Sequence, residues 1–160
     1  MTVYPAITLW QPWASLVQAG RKPYEFRRWA APRALWNRRV AVHAGARKPK
    51  REEIAALILQ LRQDGGFGTA LDVQPALDLL ERWHTAPGAL PLSSVLCLAT
   101  LREPRRPAAL FGGAVADSDR LDQHVWAWPL TDIEPLTPIV PARGAQGWWT
   151  WQHSKENAHG

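Results

Sequence analysis

Cysteine is almost absent from this 160-residue chain. The single cysteine, Cys97, excludes an internal disulfide and a zinc site built from several cysteines. It lies in an apolar run, residues 95–98, where we expect a small buried side chain rather than a nucleophile. The chain also lacks the ~20 consecutive apolar residues of a membrane-spanning helix. It has no basic segment followed by an apolar one at its start, so we expect a cytoplasmic protein.

Acidic residues are scarce in the first 62 positions. Three glutamates, Glu25, Glu52 and Glu53, stand there against 12 lysines and arginines, whereas residues 63–160 carry a net charge of −4. Glu52 and Glu53 fit the first turn of a helix, where carboxylates are favourable. No cluster of carboxylates remains to hold a divalent ion. The sequence therefore predicts no metal site and no cofactor.

Tryptophan and basic residues are abundant. The chain has ten tryptophans, more than one core needs, so we expect some to line a groove. Eleven basic residues and one acid lie between Arg21 and Arg51, with Trp29 and Trp36 among them. Such a density indicates a nucleic-acid partner, because phosphate neutralisation supplies much of that affinity. The alternative is a solvated face that only maintains solubility.

Hydrophobic periodicity predicts an α+β domain. Its 17.9 kDa and 46% hydrophobic residues suit a single soluble domain. Five or six short strands with early helices favour a small closed β-barrel. The expected strands cover residues 6–9, 23–29, 39–44, 94–102, 124–130 and 147–151, with an edge strand or extended loop at 133–141. The expected helices cover residues 12–20, 50–63 and about 76–83, and residues 64–68, 104–122 and 152–160 are expected to be loops or tail.

Two neighbouring segments carry a family resemblance. Residues 9–16 are LWQPWASL and residues 20–29 are GRKPYEFRRW, which contains the pattern G-x-K-x-x-E-x-R. The combination resembles the ASCH family, and is most similar to the ASCH domain of activating signal cointegrator proteins and their bacterial relatives. The resemblance covers residues 6–63 well and is loose at 94–103 and 147–148. It implies a PUA-like β-barrel of five to six strands with peripheral helices, as one domain over 1–152 with a polar tail at 153–160.

The resemblance implies a cleft beside the first helix and the strand that runs from Lys22 to Arg27. Family members are described as nucleic-acid binders, metal-dependent ribonucleases and amidohydrolases that act on an acetylated cytidine, so the family fixes the fold better than the activity. The amidohydrolases have a threonine three residues after the motif lysine. Here Glu25 occupies that position. Deacetylation by that mechanism is therefore not expected.

We expect foremost a nucleic-acid-binding module for RNA or DNA with little sequence specificity, since phosphate contacts position without specifying. No membrane partner is expected, and a monomer is the default. The residues expected to bind phosphates are Lys22, Arg27, Arg28, Arg38, Arg39, Lys48 and Arg51. The residues expected to line the cleft around one base are Gln11, Trp13, Ser15, Glu25, Trp29 and His43.

The alternative is an enzyme that acts on RNA or a nucleoside. In that case Lys22 and Glu25 would be catalytic, with Glu25 as general base on water and Lys22 stabilising an oxyanion. A divalent metal would be an option only for a ribonuclease. Structural roles compete with each of these assignments. Glu25 and Arg27 would form an ion pair at the mouth of the barrel, Gln11 would hold its loop, and Ser15 would make a local backbone hydrogen bond.

Overall fold

A computed structural model describes residues 1–65, 70–111 and 125–154 of the chain. Four helices accompany six strands in this part of the protein. The strands are β1 (Thr2–Leu9), β2 (Tyr24–Arg27), β3 (Arg38–Ala44), β4 (Ser94–Leu101), β5 (Trp126–Pro141) and β6 (Trp149–His153). The helices are α1 (Trp13–Gln18), α2 (Arg51–Asp64), α3 (Val73–Thr85) and α4 (Pro107–Phe111).

The six strands form one mixed sheet in the order β2-β5-β4-β3-β1-β6. Only β1 and β3 are parallel neighbours, with Ala6 beside Ala41 and Leu9 beside Ala44. All eight residues of β4 are buried, as a nearly continuous apolar strand requires. The predicted α+β fold with peripheral helices is confirmed. The expected closure of the barrel is not observed among the described residues, because β2 and β6, the strands at the two ends of this order, do not pair with each other.

Helix α1 joins two parts of the core. Its Ala14 and Val17 pack against the sheet with Val40 and Val42. Leu16, on its other side, packs against the buried residues of α2 and α3. The end of α1 is thereby fixed between the sheet and the helical layer. The segment that follows it, which carries the G-x-K-x-x-E-x-R pattern, starts from an anchored position.

The C-terminal half differs from the sequence prediction in three places. The two strands expected at 124–130 and 133–141 are one strand, β5, which pairs with β2 as far as Pro129 and with β4 from Leu130. The pairing with β4 continues from Thr131 to Glu134 across an irregularity in the register, so the strand does not end between the two expected segments. Beyond Pro129, and within the part of the chain that the structure describes, β5 pairs only with β4, as the predicted edge strand should. Helix α4 occupies part of the expected loop at 104–122, and Pro107 suits its first turn. Strand β6 runs to His153, which was expected in the polar tail.

Parts of four predicted segments lie outside the described residues. They are 66–68 of the expected loop after α2, 112–122 of the expected loop at 104–122, together with 124 at the start of the next strand, and 155–160 of the expected tail. Within the described part of the chain, every helix is too short or too polar to cross a bilayer.

Candidate functional site

A cleft of about 1310 Å³ opens where β1 and β3 end. Because these two strands are parallel, their carboxyl ends meet at the same edge of the sheet, and Thr8, Leu9 and His43 line the cleft from there. Strand β2 forms another wall, and the segment after β5, residues 141–147, forms a third. The predicted cleft residues Trp13, Glu25, Trp29 and His43 lie in this lining, together with Lys22 and Arg27, which were expected to bind phosphates.

Lys22 lies at the base of the cleft between two aromatic rings. Its Nζ is 5.2 Å from the ring centres of both Trp13 and Phe26, and only 2% of the residue is exposed. Gly20, with a φ of +73°, ends α1 and turns the chain toward this position. The Lys22 amide then donates to the carbonyl of Leu16, 3.2 Å away. The cation is thus held against ring faces, which attract positive charge.

Glu25 and Arg27 project together from β2, as their spacing of two predicts. Arg27 Nη2 is 3.4 Å from Glu25 Oε2 and 3.4 Å from the Thr8 carbonyl oxygen. Glu25 Oε1 accepts a hydrogen bond from the Phe26 amide at 2.8 Å. The ion pair considered as the structural alternative is therefore formed. Both side chains nevertheless line the cleft, so the pair presents one fixed cation and one fixed acceptor to it.

His43 is the centre of a buried hydrogen-bond network. Its Nε2 lies 2.6 Å from the Ala142 carbonyl oxygen, which only accepts, so Nε2 carries the proton. Thr8 Oγ1 is 3.0 Å from His43 Nδ1 and accepts from Trp149 Nε1 at 3.1 Å. Burial lowers the pKa of His43, with the hydrogen bond to Ala142 opposing the shift. The neutral imidazole thereby ties the end of β3 to the segment after β5.

Gly144 passes directly over this network. A Cβ atom at residue 144 would lie 2.6 Å from both His43 Cε1 and Thr8 Oγ1. Such contacts are far inside van der Waals distance, so glycine is required for the close approach. Arg143 precedes it and lines the cleft. The network therefore determines where this wall of the cleft lies and where the backbone of Arg143 is placed.

Two indoles are exposed in the cleft lining. Trp29 is 55% exposed and Trp10 is 41% exposed. The Arg47 guanidinium lies 4.4 Å from the centre of the Trp10 ring and forms two hydrogen bonds with Glu53, at 3.0 and 2.5 Å. A hydrogen bond from Arg47 lowers the pKa of Glu53, partly offset by burial. The cleft therefore contains solvent-accessible aromatic surface.

Sequence reasoning missed Arg143, Arg47 and the pair Thr8 and Trp149. Arg143 has no basic neighbour in the sequence and belongs to the acidic half of the chain. Only its position between Pro141 and Gly144 indicated a turn. Arg47 belongs to the basic segment, but its ring partner precedes it by 37 positions and no local pattern connects them. Thr8 and Trp149 meet through the β1–β6 pairing, which periodicity does not disclose.

Gln11 and Ser15 are corrections to the predicted cleft. Both are buried, at 1% and 3% exposure, and neither belongs to the lining. Gln11 Nε2 donates to Ser15 Oγ at 2.7 Å and to the Pro91 carbonyl at 2.8 Å. Gln11 Oε1 accepts from the Ser15 amide at 3.0 Å. The backbone N–H groups in the first turn of a helix have no partner within the helix. The Gln11 side chain supplies a partner for one of them, the N–H of Ser15 in α1.

The predicted phosphate-binding residues do not form one continuous face. Arg28, Lys48 and Arg51 are exposed and lie near the cleft residues along the chain. Arg38 and Arg39 begin β3, so roughly 16 Å of strand separates Arg38 from His43 at the other end. The Arg39 guanidinium is 3.1 Å from a Glu134 carboxylate oxygen. The structure brings Lys22 and Arg27 into the cleft and leaves Arg38 and Arg39 away from it.

In the described ranges, no three His, Cys, Asp or Glu side chains converge as they would to hold a metal ion. Cys97 is buried, and burial raises its pKa to about 12. A thiol in that state is a poor nucleophile.

Comparisons with known proteins agree on one family. The family model of the ASCH domain matches residues 7–95. The crystal structure of ASCH from Zymomonas mobilis is similar at 15% identity and a TM-score of 0.52, covering 96% of this chain and 90% of that one. A tyrosine-to-phenylalanine variant of the same bacterial protein is similar at 16% identity and 0.52, covering 97% and 94%. At such identity the likeness establishes the fold alone. The search of curated proteins gave no match.

Proposed function

Because the chain belongs to the ASCH domain family, we propose that it binds nucleic acid, RNA or DNA, in the cleft at the ends of β1 and β3. One base enters the cleft, and phosphates contact the cations of its lining and rim. A base has to leave its stack to enter such a site, so single strands are bound better than duplexes. Contacts to phosphates do not depend on sequence, so sequence specificity is low.

A single observation supports this proposal most strongly. The cleft combines exposed indoles with three cations, Lys22, Arg27 and Arg143, against one carboxylate, Glu25. Sites for single strands pair aromatic rings, which stack on any base, with positive charge along the backbone path. The cleft offers both features in one place.

The cations of the lining have different expected roles. Lys22 is almost fully buried, so it contacts only a group that enters the cleft. Arg27 is fixed by Glu25 and Thr8 and presents a planar donor fork, which suits phosphate or a base carbonyl. Arg143 is exposed at the rim, where a phosphate passes. Arg28, Lys48 and Arg51 extend the positive rim along the strand.

Fluorescence anisotropy of labelled oligonucleotides tests the proposal. Single-stranded RNA, single-stranded DNA and duplex DNA are titrated with the protein at two salt concentrations, and each mixture is then run on a denaturing gel with and without Mn²⁺. We expect salt-dependent binding that favours single strands and leaves them intact. Absence of binding at low salt would refute the proposal. Cleavage lost in Lys22→Ala would instead identify a ribonuclease, the alternative considered above.

A further inference from the structure

Trp10 and the start of helix α2 are linked by a chain of three side chains. Trp10 follows β1 directly and lines the cleft with 41% of its surface exposed. The Arg47 guanidinium lies 4.4 Å from the indole centre, which is short enough for the planar cation to stack on the ring. Arg47 in turn makes a two-point hydrogen bond with Glu53.

Helix α2 gives this chain a rigid base. Glu53 stands in the first turn of α2, and the next residue, Ile54, is fully buried in the core shared with α3. A bidentate arginine–carboxylate pair fixes the orientation of the guanidinium plane as well as its position. An indole that rests on such a plane loses little freedom when a second flat group stacks on its exposed side.

Trp29, the other exposed indole of the cleft, provides the contrast. It is 55% exposed and has no comparable cation against its ring among the described residues. Its backbone carbonyl accepts a hydrogen bond from Trp128 Nε1 at 3.0 Å, but that contact involves the backbone and does not orient the ring. Of the two exposed rings, Trp10 is therefore the one that is oriented before any ligand arrives.

We propose that Trp10 is the stacking platform for a base in the cleft, and that Arg47 and Glu53 are positioning residues that orient its indole. The inference rests on the proposed nucleic-acid binding and adds which ring is used and how it is held. It assigns to Glu53, an acidic residue, a favourable contribution to the binding of an anionic ligand. Charge repulsion alone predicts the opposite, that an acidic residue weakens the binding of an anion, so the direction of the Glu53 effect distinguishes the two explanations.

Two variants test that sign. Glu53→Gln and Glu52→Gln each remove one negative charge from the same helical turn, but only Glu53 contacts Arg47. We expect Glu53→Gln to weaken the binding of a labelled single-stranded oligoadenylate by about threefold, and Glu52→Gln to leave it unchanged or slightly tighter. If instead Arg47 bound phosphate directly, its release by Glu53→Gln would tighten binding. An equal or tighter affinity for Glu53→Gln would overturn the inference.

A second probe isolates stacking from charge. Trp10→Ala should weaken oligoadenylate binding about tenfold and leave unchanged the binding of an abasic strand of the same length. The double variant Trp10→Ala/Glu53→Gln should bind no more weakly than Trp10→Ala alone. Arg47→Lys keeps the charge but not the plane, and should behave as Glu53→Gln. Circular dichroism and thermal unfolding establish that each variant is folded.

The outcomes distinguish this inference from the function it rests on. Wild-type protein that binds neither probe would refute nucleic-acid binding, and the platform with it. Wild-type binding with equal losses on the oligoadenylate and the abasic strand for Trp10→Ala would leave nucleic-acid binding in place and refute the platform alone.

Discussion

The two ends of strand β3 carry basic residues in opposite settings. At the end where β3 begins, which we call the far end, Arg39 is paired with Glu134 and Arg102 with Asp132, at 3.1 and 3.0 Å. At the other end lies the cleft, where Lys22 rests against aromatic rings and three cations face one carboxylate. Charge is largely compensated at the far end and is in excess at the cleft.

This difference shows that a basic segment does not by itself locate a binding surface. Exposed ion pairs contribute little to stability, and they reduce the potential that a phosphate experiences. A cation against an indole keeps its full charge, because a ring face attracts it without neutralising it. Under the proposed function, a position in the cleft lining therefore identifies the binding cations better than the density of arginine along the chain does.

The contrast between the cleft end and the far end is tested most directly by removing two positive charges from each end. Arg27→Gln/Arg143→Gln takes them from the cleft, and Arg38→Gln/Arg39→Gln takes them from the far end. We expect the cleft pair to weaken single-strand binding by about 10- to 100-fold and to lower the salt slope by about 1.4. The far-end pair should change affinity by about twofold, since its charges act only at a screened distance.

Anisotropy titrations over a salt series measure both quantities, with thermal unfolding to verify that the variants fold. Equal losses for the two double variants would mean that the whole segment from Arg21 to Arg51 acts as one face, as its density alone predicted. The cleft would then have no special status among the basic regions.

The second prediction tests how tightly the cleft wall is built. Gly144→Ala places a Cβ against Thr8 and His43, so the segment after β5 has to move or the core has to yield. We expect a loss of roughly 2 kcal/mol in the free energy of unfolding, typical of overpacking. Gly88→Ala is the matched control, because a Cβ there meets no atom within 4 Å. Denaturant unfolding compares the two.

A Gly144→Ala protein as stable as Gly88→Ala would mean that the wall is adaptable. Its network would then not determine where Arg143 lies. A destabilised Gly144→Ala protein with unchanged binding would separate the stability of the wall from its use in the site.

Local patterns predicted the elements of this fold well and the site only in part. The alternation around Glu25 and Arg27 placed both on one side of a strand, and the spacing from Ile54 to Leu61 gave helix α2. These features depend on near neighbours in the chain. Gln11 was misassigned because burial of its amide depends on Pro91, 80 positions away.

Contacts between residues far apart in the sequence also explain why the partners of His43 were missed. His43 was expected in the cleft, but its partners Thr8 and Ala142 lie 35 and 99 positions away. Sheet order β2-β5-β4-β3-β1-β6 brings these segments together, and hydrophobic periodicity does not contain that order. The continuity of β5 is a further case, since Thr131 and Glu134 both pair with β4 across an irregularity in the register that the local pattern does not show.

The smallest expected effect concerns pH and also distinguishes the two ends. The pKa of His43 is lowered in the folded protein, chiefly by burial, whereas the unfolded chain titrates near 6.5. As the pH falls below about 6.5, the unfolded chain takes up the proton that the folded protein resists, so the free energy of unfolding decreases until the lower folded pKa is passed. Denaturant unfolding at several pH values measures this slope. It should vanish in His43→Gln and persist in His84→Gln, a control on helix α3. The same slope in both variants would show that groups outside the cleft end produce it.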